Sequence, residues 1–254
     1  MKKKENTEVK TNDPWDSLKQ FTAARIALGR AGTSIPLKKE LEFKLAHAHA
    51  RDAVYTSLDI DHLDNELAPF NAGLLHLASM ACNRQEYLQR PDLGRQLDDL
   101  SIKLISYVYP PSDISIILAD GLSAGSINHQ AIELLDDLIP LLRAMKYTLA
   151  PVCLVKQARV AIGDQIGYQL KARLSIVLIG ERPGLSAAES IGAYLTYGPK
   201  PGLTDESRNC VSNIRHHGLS PNLAAKKIFY LVHESLKRGL SGVELKDNAG
   251  LLGS

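Results

Sequence analysis

The run Leu174-Ser175-Ile176-Val177-Leu178-Ile179 is apolar at five of its six positions and is closed directly by Gly180. A short segment with no polar face reads as a strand covered on both sides, the situation of a parallel sheet. The loop Gly180-Glu181-Arg182-Pro183-Gly184 then lies where an open α/β sheet presents its ligand crevice, outside the carboxyl ends of the strands. Pro183 stiffens this loop, and its glycines permit backbone angles or close approaches that a β-carbon forbids. Without further context the same residues also describe a tight strand-to-helix turn bearing a solvated charge pair.

Other segments fit the sheet. From Pro110-Pro111 onward the texture changes to short apolar runs: Ile114 to Ala119, Pro151 to Val155 and Leu174 to Ile179 are expected strands, Cys210 to Ile214 a further one, and Asn128 to Ala144 a crossover helix. Ser220-Pro221 supplies a cap and a first-turn proline for a last helix ending near Gly239. Before residue 110, helices are expected from Asp13-Pro14 to Gly29, from Pro36 to Tyr55 and from Gly94 to Tyr107, with the stretch between the last two helical in part. In the second of these, Leu37, Leu41, Leu45 and Ala48 share a face. Strands alternating with helices imply a mostly parallel, Rossmann-like α/β sheet preceded by an N-terminal helical region. The expected division is a disordered polar tail over 1–12, helices over 13–109, the α/β domain over 110–242 and a C-terminal tail over 243–254.

The formal charge of +2 argues against a protein held to nucleic acid by a basic surface, and no apolar run approaches 18 residues. Cys82, Cys153 and Cys210 are an odd, widely spaced set that suits reduced thiols in the cytoplasm. His47 and His49 diverge on a helix, His216-His217 read as a solvated pair, and His129 and His233 have no carboxylate or thiol at a metal-ligand spacing. No metal site or catalytic triad is expected. Asp120-Gly121-Leu122-Ser123 follows the first strand of the α/β part and can line the same crevice as the Gly180 loop, or simply begin a turn. Neither strand is followed by a Gly-x-Gly-x-x-Gly or Gly-Lys-Ser/Thr pattern.

Several of these pieces occur together in one family. The Gly180 loop, Asp120-Gly121-Leu122-Ser123, Asp164-Gln165-Ile166-Gly167, Cys210-Val211-Ser212-Asn213-Ile214 and Tyr87-Leu88-Gln89-Arg90-Pro91-Asp92-Leu93-Gly94-Arg95 resemble, in order and spacing, the small (light) subunit of ethanolamine ammonia-lyase, as do Thr22-Ala23-Ala24-Arg25 and Gly29-Arg30-Ala31-Gly32. The resemblance runs from about Phe21 to about Gly242. It implies an adenosylcobalamin enzyme that converts ethanolamine to acetaldehyde and ammonia by homolysis of the cobalt–carbon bond. It also implies a partner, a TIM-type large subunit that holds the substrate, with the cobalamin at the interface between the two. Three cofactor contacts carry over: Val160 in Gln157-Ala158-Arg159-Val160, where the family has glycine at position 158; Glu181, in a motif that matches fully; and Cys210, which follows an atypical Asn209. The implied roles are apolar contact from Val160, acceptance of hydrogen bonds from corrin amides by Glu181, and packing without bulk by Cys210. The implied location is the cytoplasm, within a bacterial microcompartment. Two rival readings are a self-sufficient Rossmann-type enzyme using a nucleotide, and a structural subunit that contacts no ligand.

Overall fold

A computed structural model describes residues 15–22, 24–106, 109–187 and 189–246. The apolar run at 174–179 lies inside β4 (Ala172–Gly180), at the centre of a sheet with β1 (Leu74–Ala78), β2 (Ser112–Ala119), β3 (Val152–Lys156), β5 (Ile191–Tyr197) and β6 (Arg208–Ile214). Among the described residues the order is β1-β3-β2-β4-β5-β6. The first four strands run parallel, with Ile117 opposite Val177 and Leu118 opposite Leu178. From β4 onward the pairing is antiparallel. This is the expected α/β class with a mostly parallel sheet. The switch explains the composition of β4, whose neighbours occupy both edges while helices cover both faces.

One face is covered by α2 (Ile60–Leu67), α5 (Ala124–Ala144) and α7 (Pro221–Arg238). Leu134, Leu135, Leu138 and Leu142 of α5 and Ala224, Ile228 and Val232 of α7 pack there against Ile116, Leu178, Ala193 and Val211. Burial of each large side chain contributes roughly 1.5–3 kcal/mol. The other face is covered over the parallel strands by α4 (Asp99–Ile105) and α6 (Ile162–Gln169), whose Ile105, Ile162 and Ile166 meet Ile117, Val155 and Val177. β5 and β6 have their α7 side filled, whereas on the α6 side Tyr194 is only partly buried and Cys210 is exposed. That uncovered wing becomes the floor of a groove.

Several expectations for the first half need correction. The segment expected to be helical from Asp13 to Gly29 forms a 3₁₀ turn over Asp16–Phe21 alone, and then runs without helix to Pro36. Trp15 and Phe21 stay exposed, and a short helix with no buried face lacks what stabilises it. Asp13, Pro14, the 1–12 tail and residues 247–254 lie outside the described residues. α1 (Leu37–Tyr55) forms as expected, yet it buries only Ala53, and the Leu37, Leu41, Leu45 stripe faces outward. The helix expected from Gly94 starts only at Asp99, because Asp98 caps it, its carboxylate accepting the Ser101 N–H at 2.7 Å. The stretch read as partly helical holds α2, α3 (Arg84–Gln89) and also the edge strand β1. α7 begins at Pro221 and ends at Gly239, which is left-handed at φ +71°, but the Ser220 hydroxyl makes no capping bond.

Candidate functional site

The loops leaving β2, β3 and β4 converge at the carboxyl end of the parallel strands. Asp120 is the anchor. Its carboxylate accepts the backbone N–H of Gln157 at 2.7 Å and of Ala158 at 2.9 Å, and lies 3.8 Å from the Arg84 guanidinium. It is 3% exposed. Burial pushes this carboxyl above the usual range, opposed by those two N–H groups and Arg84. Asp120 therefore ties the β2 loop to the β3 loop and does not face the crevice.

Gly121 and Gly180 meet at this crossing. The Leu122 N–H donates to the Gly180 carbonyl at 2.9 Å. A β-carbon on Gly121 would fall 2.2 Å from that carbonyl oxygen, and one on Gly180 would fall 2.0 Å from the Ser123 carbonyl oxygen. The glycines admit each other's backbone, which leaves no phosphate cradle of the dinucleotide type.

Beyond the crossing, the Tyr87 ring meets two guanidinium groups, Arg84 at 4.7 Å and Arg159 at 4.2 Å from its centroid. Its hydroxyl donates to the Ala158 carbonyl at 3.1 Å, and Arg159 donates to the Tyr87 carbonyl at 3.1 Å. This stack stiffens the segment that presents Val160.

Glu181 leaves β4 not into a helix but into a connection, non-helical over the described residues 181–187 and 189–190, that leads to β5. Its N–H donates to the Ser190 carbonyl at 2.9 Å, and its carboxylate accepts the Ser190 hydroxyl at 2.7 Å and the Asn213 N–H at 3.2 Å. The acid is oriented by its own protein and keeps lone pairs for further donors.

Val160 and Glu181 line one cleft of about 430 Å³, with Gly180, Arg159 and Tyr194. A second lobe of about 770 Å³ shares Arg159, Val160 and Tyr194 with the first and extends past Arg95, Gln165 and Thr204. Cys210 is directly opposite Tyr194 across β5 and β6, and the two side chains interact. The three positions singled out at 160, 181 and 210 thus meet around Tyr194, whose hydroxyl burial pushes well above its ordinary pKa. Beneath the larger lobe, Arg208 of β6 makes a bidentate pair with Asp164 of α6 at 2.5 and 2.8 Å, both side chains nearly fully buried. Among the described residues no group of three or more His, Cys, Asp or Glu side chains converges as for a metal.

Sequence reasoning missed Tyr194, Ser190 and the Asp164–Arg208 pair. β5 carries no clear strand signal, and partners 44 positions apart leave no local mark. Arg159 lies inside a sequence motif that by itself gives it no role.

The family described as "Ethanolamine ammonia-lyase light chain (EutC)" matches residues 12–246. The chain belongs to that family. It is 46% identical over 253 residues to the ethanolamine ammonia-lyase small subunit of Pseudomonas paraeruginosa, covering 98% of this chain and 93% of that protein. It is 48% identical over 243 residues to the small subunit of Azotobacter vinelandii, and 47% over 243 residues to that of Ralstonia nicotianae, with 94% of this chain and 90% of the relative covered in each case. No helix among the described residues of this light-chain family member is long and apolar enough to cross a membrane.

The thiols give a direct check on the geometry. Cys153 is fully buried in β3, which pushes its pKa up to about 12, whereas Cys82 and Cys210 are exposed, with partial burial also raising the Cys210 thiol so that it should label more slowly than Cys82. The thiolate is the reactive form. Maleimide labelling read by peptide mass spectrometry should therefore modify Cys82 and Cys210 in the native protein and Cys153 only after denaturation. Rapid native labelling of Cys153 would show that the sheet opens at β3.

Proposed function

We propose that this chain is the small subunit of an adenosylcobalamin-dependent ethanolamine ammonia-lyase, and that it forms one wall of the cobalamin site against a large subunit. The observation that carries the reading is the meeting of Val160, Glu181 and Cys210 around Tyr194 in a chain of this family. A corrinoid is a broad, flat macrocycle fringed with amides and carrying one anionic tail. An open groove floored by a sheet face, with a pre-oriented carboxylate on one side and the Arg159 guanidinium at its centre, fits such a group. When bound, the cofactor supplies a radical through homolysis of its cobalt–carbon bond.

The chain's own residues bind and orient. Glu181, held by Ser190 and Asn213, accepts hydrogen bonds from amide donors without first having to reorganise. Val160 offers apolar contact, and Cys210 keeps the floor beside Tyr194 low. In this reading ethanolamine is bound mainly by the large subunit, which completes the site and excludes water from it.

The test is reconstitution. The isolated chain should produce no acetaldehyde from ethanolamine, and production should require the large subunit and adenosylcobalamin together. In the assembled complex, Glu181→Ala should weaken cofactor affinity about ten- to hundred-fold while leaving the KM for ethanolamine nearly unchanged, since a hydrogen bond to a charged acceptor contributes roughly 1.5–3 kcal/mol. Unchanged cofactor affinity in the variant would remove Glu181 from the site. Acetaldehyde from the chain alone would overturn the subunit reading.

A further inference from the structure

We propose that Arg159 is the anion-binding residue of the groove and that it takes the phosphodiester of the cofactor's nucleotide tail, an assignment that rests on the corrinoid reading above. The groove's cations are not equivalent. Arg208 is neutralised by Asp164; Arg84 lies 3.8 Å from Asp120 and donates to the carbonyls of Val54 and Gly121, with one Nη buried without an acceptor; and Arg95 and Arg182 each line one lobe, whereas Arg159 lines both. Among the described residues Arg159 has no carboxylate partner, its one side-chain hydrogen bond is to the Tyr87 carbonyl, and its Nε is buried without an acceptor. Arg159 is half-buried at the groove wall, and a guanidinium that faces a cleft without an acid beside it is a ready partner for an anion.

The position suits an anion of that shape. Arg159 lies where the 430 Å³ cleft of Glu181 opens into the 770 Å³ lobe, so a ligand with its macrocycle beside Glu181 would pass its tail over this guanidinium. The Tyr87 ring centroid lies 4.2 Å from this guanidinium and the ring limits its movement, and a planar guanidinium fork suits two parallel hydrogen bonds to phosphate oxygens. Of the two acids in the lining, Asp164 is neutralised by Arg208, whereas the Asp205 side chain is 91% exposed and keeps its charge at the rim, and Arg95 adds a second positive charge to the lining. The larger lobe has the size of an ordinary small-molecule site and accommodates a nucleotide-sized group.

The experiment compares two corrinoids on the complex of both subunits: adenosylcobalamin, and adenosylcobinamide, which lacks the phosphodiester and its nucleotide. Dissociation constants are read by spectral titration for wild type, Arg159→Gln and Arg159→Lys. Arg159→Gln should weaken adenosylcobalamin about ten- to hundred-fold and leave adenosylcobinamide within about two-fold, with Arg159→Lys intermediate for the first ligand. Equal weakening of both corrinoids would mean that Arg159 only supports the Tyr87 loop, and would overturn the assignment. So would an unchanged affinity for both. If the wild-type complex binds neither corrinoid, the cofactor reading itself falls and this assignment with it.

Discussion

Arg208→Ala should lower the stability of the folded chain by about 3–5 kcal/mol, the cost of leaving one charge of a buried pair without its partner. The Arg208 and Asp164 side chains are 2% and 3% exposed and are joined by two bonds. The same guanidinium also donates to the Thr196 hydroxyl and the Leu203 carbonyl, so its removal leaves acceptors from β5 and the following loop unsatisfied as well. Urea unfolding followed by far-UV circular dichroism gives the measurement. The double variant Asp164→Leu with Arg208→Met should recover most of the loss, because replacing a buried ion pair by apolar side chains of similar size is close to neutral. A midpoint for Arg208→Ala matching that of wild type would mean that water reaches the pair.

Gly180→Ala should be, with Gly121→Ala, among the most damaging single methyl groups that can be added to the crevice. At many glycines an added β-carbon meets side chains that can rotate away, but here it meets the carbonyls of Ser123 and Asp120 at 2.0 and 2.6 Å. One of the two loops must therefore move. Overpacking costs roughly 1–3 kcal/mol, and backbone that cannot rotate aside puts this site at the upper end. The displacement passes directly to Glu181, so cofactor affinity of the reconstituted complex should fall together with the thermal midpoint. Gly198→Ala is the control: its β-carbon would meet nothing within 4 Å, and only its φ of +56° opposes the change. A Gly180→Ala protein as stable as Gly198→Ala would show that the loops do not cross as described.

These two cases mark where the sequence is legible. β2, β3 and β4 announce themselves because burial demands apolar runs, whereas β6 buries only Arg208, Val211 and Ile214. β5 interrupts its own run with Gly192 and Thr196, and β1 places His76 between leucines whose spacing suits a helix equally well, so neither stands out as a strand. The crevice is legible at the correct strand ends, and of the close approaches its glycines allow, the one that Gly121 and Gly180 make is to each other's loop. Asp120 reads either as a crevice acid or as the start of a turn. Its partners are backbone N–H groups 37 and 38 positions away, which no side-chain pattern reports. The resemblance supplies Val160, Glu181 and Cys210, while Tyr194, the residue they surround, emerges only from strand register.

The strand order has a consequence for synthesis. β1 is made first, yet its neighbour in the sheet is β3, with Leu74 opposite Val152, 78 positions later. At about 5–20 residues per second, Leu75 and Leu77 wait roughly 4–16 s after leaving the ribosome before the edge they complete exists. β2 waits a shorter interval, with Ile117 opposite Cys153, 36 positions later; β3 and β4 then each dock on a finished β2, and β5 and β6 each pair with the strand made just before. Through that interval the nascent chain carries an unpaired apolar strand, the kind of segment that chaperones hold and that aggregates in their absence. A circular permutant that begins near Pro110 and returns β1 to the C-terminus removes the delay, and should give a higher soluble yield in a chaperone-poor translation extract.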